Sequence, residues 1–191
     1  MMEKLNVTLR TERLVLRMID ESDAKRAYEF VLRNKEALLP WEPARKSDYY
    51  SLSFQKQLIR DDLQSMSSGQ SVKFWLSKRD ETDPPLIGTV TLNNIVRGAF
   101  QSCHLGYRMD AREQGRGYMS EALARIISFA WSELKLHRIE ANIMPRNAAS
   151  LQVVRKLGFQ DEGLARDYLR INGKWEDHIH MVLLNPSWRE R

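Results

Sequence analysis

The stretch from Met109 to Leu123, "MDAREQGRGYMSEAL", constrains the fold more than any other part of the chain. Before it, "QSCHLGYRM" alternates polar and apolar residues, the period of a half-buried strand. After it, Met119, Ala122, Leu123, Ile126, Phe129 and Ala130 fall on one face of a helix. A strand must therefore pass to a helix through a loop carrying Gly115 and Gly117. The first amides of a helix lack internal partners and point outward, and the helix dipole puts partial positive charge there. Two glycines clear the approach, successive amides can form a concavity, and Arg112 and Arg116 add charge. The spacing reads as a cradle for a phosphate or pyrophosphate. The competing reading is a tight turn that uses glycine only for its backbone freedom.

The remaining elements follow from periodicity and punctuation. "RTERLVLRMI" (Arg10 to Ile19) alternates Leu14, Leu16 and Met18 with polar residues and reads as a strand. Asp20 is the N-cap of a helix over "ESDAKRAYEFVLRN". Pro40 and Pro43 make "LLPWEP" a loop, and a second helix spans Ser51 to Met66, ended by Gly69. "VKFWLSKR", "LIGTVTLNNIV" and "QSCHLGYRM" form an antiparallel meander, with a turn near Arg97-Gly98. "HRIEANIM" is a strand and "NAASLQVVRKLGF" a helix stopped by Gly158. "ARDYLRINGKWEDHIHMVLL" is a hairpin turning at Asn172-Gly173. The order is strand, helix, helix, three strands, helix, strand, helix, two strands. That is a mixed α/β (α+β) arrangement in one domain over residues 1–191, without repeats or linkers.

Composition narrows the partners. The 191 residues are 42% hydrophobic and 29% charged, as in a soluble globular protein with a sizeable core. No apolar run approaches the length of a membrane span, and "MMEKLNVTLRTERL" lacks the apolar centre of a signal peptide. One cysteine, Cys103, excludes an internal disulfide. The expectation is a cytoplasmic protein, monomeric or homodimeric, with no membrane and no DNA partner. A net charge of +5 favours an anionic ligand or contact with RNA without specifying either.

Two common phosphate loops are absent. There is no G-x-x-x-x-G-K-[ST] and no G-x-G-x-x-G, and a meander precedes the loop where a dinucleotide fold would open with βαβ. What remains, Arg112-x-x-Gly115-x-Gly117, resembles the acetyl-coenzyme A signature of the GNAT N-acetyltransferase superfamily. "NAASLQVVRKLGF" resembles that superfamily's later motif through Asn147, Ser150, Lys156, Gly158 and Phe159. "TERLVLR", "LLPWEP", "NNIVRGAF" and "DYLRINGKWEDH" extend the resemblance to the Rim-type ribosomal-protein N-acetyltransferases, from Thr8 to Trp188. The branch most resembled acetylates an N-terminal alanine of a small-subunit ribosomal protein. The resemblance implies a mostly antiparallel central sheet flanked by helices and splayed between its fourth and fifth strands, with acetyl-CoA in the cleft and no metal.

It also implies roles. The backbone of Leu105, Gly106 and Tyr107 would run beside the pantetheine, and an amide near Leu105 would donate to the acetyl carbonyl, where charge develops. The pyrophosphate would rest on Arg112, Glu113, Gln114, Gly115, Arg116, Gly117 and Tyr118. Asn147 would bond the pantetheine arm, cap the following helix, or do both. Two family groups do not carry over: Val154 stands where many relatives have a tyrosine acid, and Asn142 where some have a glutamate base. Ser150 is then the candidate partner of the departing thiolate, or a plain first-turn serine. Glu140, on the same strand face as Asn142, is the leading base candidate, unless an arginine pairs with it. Glu42 and the pair Asp177-His178 are others, ahead of His104 and His180. Trp41 and Glu42 would wall the acceptor pocket, with Arg97 and Phe100 opposite. An α-amino group titrates near ~8 and a lysine near ~10.4, so an N-terminal amine of a ribosomal protein asks less of the base. Polyamines, aminoglycosides, other small amines and a non-catalytic acyl-CoA-binding or ribosome-assembly role remain open at this point, as does contact with the ribosome.

Overall fold

A computed structural model describes residues 7–188. Eight strands form one sheet in the order β1-β2-β3-β4-β5-β6-β8-β7. They are β1 (Thr8–Arg10), β2 (Leu14–Arg17), β3 (Val72–Lys78), β4 (Gly88–Val96), β5 (Ser102–Met109), β6 (Arg138–Ile143), β7 (Gln160–Ile171) and β8 (Lys174–Leu184). The helices are α1 (Ala24–Arg33), a single turn α2 (Lys35–Leu38), α3 (Leu52–Ser67), α4 (Tyr118–Ser132) and α5 (Ala148–Lys156). Every strand pair is antiparallel except β5 with β6.

Period-two alternation sends the sheet's side chains to two cores. On β3, Val72, Phe74 and Leu76 face α4 and α5, whereas Trp75 faces α1 and α3. An edge-to-face aromatic pair anchors each side: Phe74 on Phe129 at 5.4 Å and Trp75 on Phe30 at 5.5 Å between centroids. Helix α4 buries the six apolar residues that its periodicity marks, Met119 to Ala130.

The N-terminal strand differs from expectation. Residues 10–19 are not one strand. Thr11 N donates to Leu14 O at 3.0 Å and Leu14 N to Thr11 Oγ1 at 3.0 Å, folding the chain back so that Arg10 pairs with Val15. This hairpin adds a strand, so the fourth and fifth strands of the sequence reading are β5 and β6. Pro40 sits in a 3-10 turn, Leu39–Trp41, continuing from α2. Strand β7 begins at Gln160, five residues before the expected hairpin, because register shifts at residues 161–164 and 165–169 absorb its extra length. The turn at Asn172-Gly173 has φ of 43° and 83°, the left-handed pair that a two-residue hairpin loop demands.

The splay lies between β5 and β6. Their parallel pairing covers only Ser102–His104 against Arg138–Glu140. Beyond that vertex β5 continues with β4 alone to Met109, while β6 follows β8 to Ile143. Among the described residues, no helix is long and apolar enough to cross a membrane.

Candidate functional site

The glycine loop opens at one end of this cleft, and its entrance is tied down from α1. Asp110 N donates to Ile87 O at 2.7 Å. The Asp110 carboxylate accepts from Arg33 Nε at 2.6 Å and Arg112 N at 3.0 Å, while Asn34 Oδ1 accepts from Ala111 N at 2.9 Å. Burial would raise the Asp110 pKa, but these partners outweigh it and hold the group ionised below its usual range. The exit is held by Arg13, from the turn between β1 and β2. Its amide and Nε donate to Glu121 at 2.9 and 2.7 Å, Nη1 donates to Arg116 O at 3.1 Å, and the guanidinium lies over the Tyr118 ring. No local signal marks Arg13, which acts 103 to 108 residues away in sequence.

Both glycines have positive φ, 73° at Gly115 and 79° at Gly117, so the turn requires them for its backbone. A Cβ at Gly115 would meet nothing within 4 Å, so the space above the loop is open as well. The two readings of the glycines therefore hold together. Gly117 is the N-cap of α4 and supplies no side-chain cap; the first helical amide to reach a carbonyl is Glu121 N, on Gly117 O at 3.1 Å. The amides of Tyr118, Met119 and Ser120 thus have no acceptor within the helix. Helices α3 and α5, by contrast, are capped by Ser51 and Asn147. Glu113 turns from the cradle toward Lys78 at 2.8 Å and Arg116 at 3.5 Å. Arg112 and Gln114 are exposed beside it.

Leu105, Gly106 and Tyr107 are the first residues of β5 past the vertex, with one edge free. Tyr107 spans the cleft: its hydroxyl donates to Ser150 O at 3.1 Å. Burial pushes the Tyr107 phenol up to about 12, so it stays protonated. Asn147 Oδ1 accepts from Ser150 N at 3.2 Å. Ser150 is thereby fixed through both its amide and its carbonyl, in the first turn of α5 facing β5.

The opposite face of the sheet gathers most of the remaining candidates. Glu140 lies at the vertex, 2.9 Å from Arg138 Nη2, 3.0 Å from His180 Nδ1 and 3.8 Å from His104 Nε2. Burial would raise its pKa; Arg138 and Asn142, then His180 and His104, reverse that and lower it. Such a carboxylate binds a proton weakly. Glu42 accepts from half-buried Arg108 at 3.1 Å and from Arg45 at 3.4 Å, so its charge is already paired. Arg108 also donates to Tyr49 Oη at 3.0 Å and Thr89 Oγ1 at 3.2 Å. Consecutive strand residues face opposite ways, which separates Asp177 from His178. Asp177 accepts from Asp167 N at 2.9 Å, whereas His178 is buried beside Tyr168 with Nδ1 2.9 Å from Glu176 O. Arg97 donates to Leu134 O, and Phe100 is exposed at the far end of β4.

Trp41 stands on a strap made of residues 38–45. Arg146 stacks on its ring at 5.0 Å, donates to Pro40 O at 3.1 Å and pairs with Glu176 at 3.0 Å. From the tip of the β7–β8 hairpin, Asn172 N donates to Glu42 O at 3.0 Å. Arg146, Tyr168 and Arg108 carry no motif of their own; only folding shows what they touch.

An open splay, a glycine loop below an uncapped helix and a face of paired ionisable groups beyond it define a class. Residues 13–160 match the family described as acetyltransferase (GNAT) domain. The chain belongs to the GNAT acetyltransferase family and is an acetyl-CoA-dependent N-acetyltransferase. It is 38% identical, over 95% of this chain and 93% of the other, to the [ribosomal protein uS5]-alanine N-acetyltransferase of Escherichia coli (strain K12). The crystal structure of ribosomal-protein-S5-alanine acetyltransferase from Vibrio fischeri superimposes with a TM-score of 0.88 at 35% identity, covering 96% of this chain and all of that one, 100%. Mycobacterium smegmatis RimJ, solved in complex with CoA-disulfide, gives a TM-score of 0.84 at 27% identity over 94% of this chain and 86% of that one.

Proposed function

We propose that this chain, as a single domain over residues 1–191, moves the acetyl group of acetyl-CoA directly to the N-terminal amino group of an alanine-starting ribosomal protein in a ternary complex. One observation carries the reading. The 38% identity runs over 95% of the chain, so it includes the strap and the β7–β8 hairpin on the acceptor side as well as the cofactor motifs.

The residues divide the work. The amides from Glu113 to Tyr118, with Arg112, Gln114, Gly115, Arg116 and Gly117, hold the pyrophosphate. The free edge of Leu105, Gly106 and Tyr107 receives the pantetheine, with Asn147 on its other side, and an amide near Leu105 donates to the acetyl oxygen. When bound, acetyl-CoA supplies a thioester carbonyl for the amine and a thiolate leaving group. Ser150 Oγ donates to that thiolate. Trp41 and Glu42 line the acceptor's path, and His178 flanks it from β8, with Asp177 on the strand's other face holding Asp167 N. Glu140 places negative charge where the amine must lose a proton. Because its own proton affinity is held down, it acts through a neighbour.

The test is intact-protein mass spectrometry of ribosomal proteins from cells with and without the chain. Loss of one acetyl group, 42 mass units by the chemistry of acetylation (about that value), from an alanine-starting ribosomal protein is expected. Purified enzyme is assayed in parallel for thiol release with an alanine-starting peptide of uS5, spermidine and an aminoglycoside. Turnover confined to the small amines would overturn the acceptor, and tight acetyl-CoA binding without any turnover would overturn the enzymatic reading.

A further inference from the structure

Two orphaned polar atoms mark a site at the vertex of the cleft. Asn142 Oδ1 and His180 Nε2 are buried and without a hydrogen-bond partner among the described residues. Asn142 and His180 stand directly opposite each other on β6 and β8. They follow immediately on Glu140, the last residue of β6 that β5 covers. The Asn142 amide is oriented by its other atom, Nδ2, which donates to Tyr168 Oη at 3.3 Å. The Tyr168 ring packs edge-on against His180 at 4.8 Å.

The electrostatics decide which atom of His180 is free. The Glu140 Oε1 oxygen lies 3.0 Å from His180 Nδ1. A carboxylate that close repels a lone pair and attracts an N–H, so the ring hydrogen belongs on Nδ1 and the lone pair on Nε2. His104 has the opposite arrangement. Its Nδ1 lies 3.2 Å from Asn94 Nδ2, a donor, so its hydrogen sits on Nε2, toward Glu140. Of the two histidines that flank Glu140, only His180 keeps an unengaged basic nitrogen. Beside it, Asn142 offers a second acceptor. Two neighbouring acceptors without a donor fit an amine, which brings two or three N–H bonds.

We propose that Asn142 and His180 seat the acceptor amine, with His180 Nε2 as the general base and Glu140 as the positioning residue that sets its tautomer. The inference rests on the acetyl-transfer reading, but not on which amine is the acceptor. The His180 side chain is 26% exposed, so a small tilt of the ring opens Nε2 to an amine while Nδ1 stays on Glu140. The ammonium gives one proton to Nε2, and the imidazolium formed is stabilised by Glu140. The freed nitrogen pair then forms the C–N bond at the thioester carbonyl as the C–S bond breaks with its electron pair on sulfur. The second nitrogen proton passes to the thiolate, and the imidazolium returns its proton to water. Ammonium and thioester thus become amide, thiol and one released proton. The charged and titratable groups around His180 are Glu140 and Arg138 on β6, His104 on β5, Glu162 and Tyr168 on β7, and His178 on its own strand.

The enzyme is assayed across pH with acetyl-CoA and, in parallel, an alanine-starting uS5 peptide and spermidine. With whichever amine the wild type uses, His180→Gln is expected to lower kcat about 100-fold near neutrality, within the ~10²–10⁴-fold typical of general bases. Its acetyl-CoA affinity stays unchanged, and the deficit shrinks at high pH as the ammonium loses its proton unaided. Glu140→Gln is expected to move the acidic limb of the wild-type profile to lower pH, a change that a purely structural role would not give. Nitrogen NMR of the wild type is expected to find the His180 hydrogen on Nδ1, a readout independent of any variant's folding. A His180→Gln enzyme within about threefold of wild type across the range, an unmoved limb in Glu140→Gln, or a hydrogen on Nε2 would each overturn the proposal. Use of spermidine in place of the peptide would overturn only the ribosomal acceptor.

Discussion

Gly117 shows at the scale of one residue how conformation and chemistry coincide. Its φ of 79° costs a side-chain-bearing residue about 1–3 kcal/mol, and a Cβ there would come within 3.5 Å of Arg13 Nη2. Gly117→Val is therefore expected to lose acetyl-CoA binding beyond about 100-fold while lowering the thermal midpoint modestly, as calorimetric titration and melting together will show. Unchanged affinity would remove the cradle. Tyr107 supplies the second case. Tyr107→Phe deletes only its hydroxyl and removes the donor that reaches Ser150 O from across the cleft, at about 1 kcal/mol of stability. Because its hydroxyl hydrogen is committed to Ser150 O, it serves as a strut and not as an acid toward a thiolate. The expected signature is a kcat that falls several-fold with an unshifted pH profile, since the strut only aims Ser150. A lost alkaline limb would make Tyr107 the acid instead.

At the scale of elements, the decisive feature is that the strap is tied to the hairpin by very few groups. Arg146 contributes three of the contacts and Asn172 the fourth. Each is exposed or half-exposed, so together they add little to global stability, within about 1 kcal/mol for an exposed pair. They fix where Trp41 stands. Arg146→Ala is expected to raise the KM for the acceptor peptide about 5- to 20-fold, with acetyl-CoA affinity and melting temperature nearly unchanged. A rise in the cofactor's dissociation constant of the same size would instead place Arg146 in the cofactor site next to Asn147.

Over the whole molecule, buried charge sets the response to pH. Burial lowers the His178 pKa, so the folded state holds it neutral while the unfolded chain takes up a proton below about 6.5. Asp110, Glu121 and Glu140 are depressed in the folded state, each because its hydrogen-bond and charge partners outweigh burial. For all four the unfolded chain binds more protons in acid, so their stabilisation is present above the unfolded pKa and is lost as pH falls. Urea midpoints are expected to decline in two stages, first below about 6.5 and then more steeply below about 4. His178→Gln should flatten the first stage. A midpoint that stays level from pH 7 to 4 would contradict the reading.

The sequence by itself determined what depends on neighbours along the chain. The glycine loop, the apolar face of α4, the cap at Asn147 and the turn at Asn172-Gly173 are contiguous, and local backbone preference and periodicity write them directly. The order of strands and helices followed, and the family was legible through the resemblance carried by Arg112-x-x-Gly115-x-Gly117 and "NAASLQVVRKLGF". The hairpin at Thr11 was not legible as two strands, because its alternation runs through the turn and only pairing with β3 fixes where each strand lies. The tertiary structure alone decided the charges. Glu42, Glu140 and His178 look alike as isolated candidates, yet Arg108 neutralises the first, Arg138 lowers the second and burial silences the third. An ionisable group's chemistry is set by what surrounds it in space, across 66 residues of chain for Arg108 and Glu42, and sequence spacing carries no record of that.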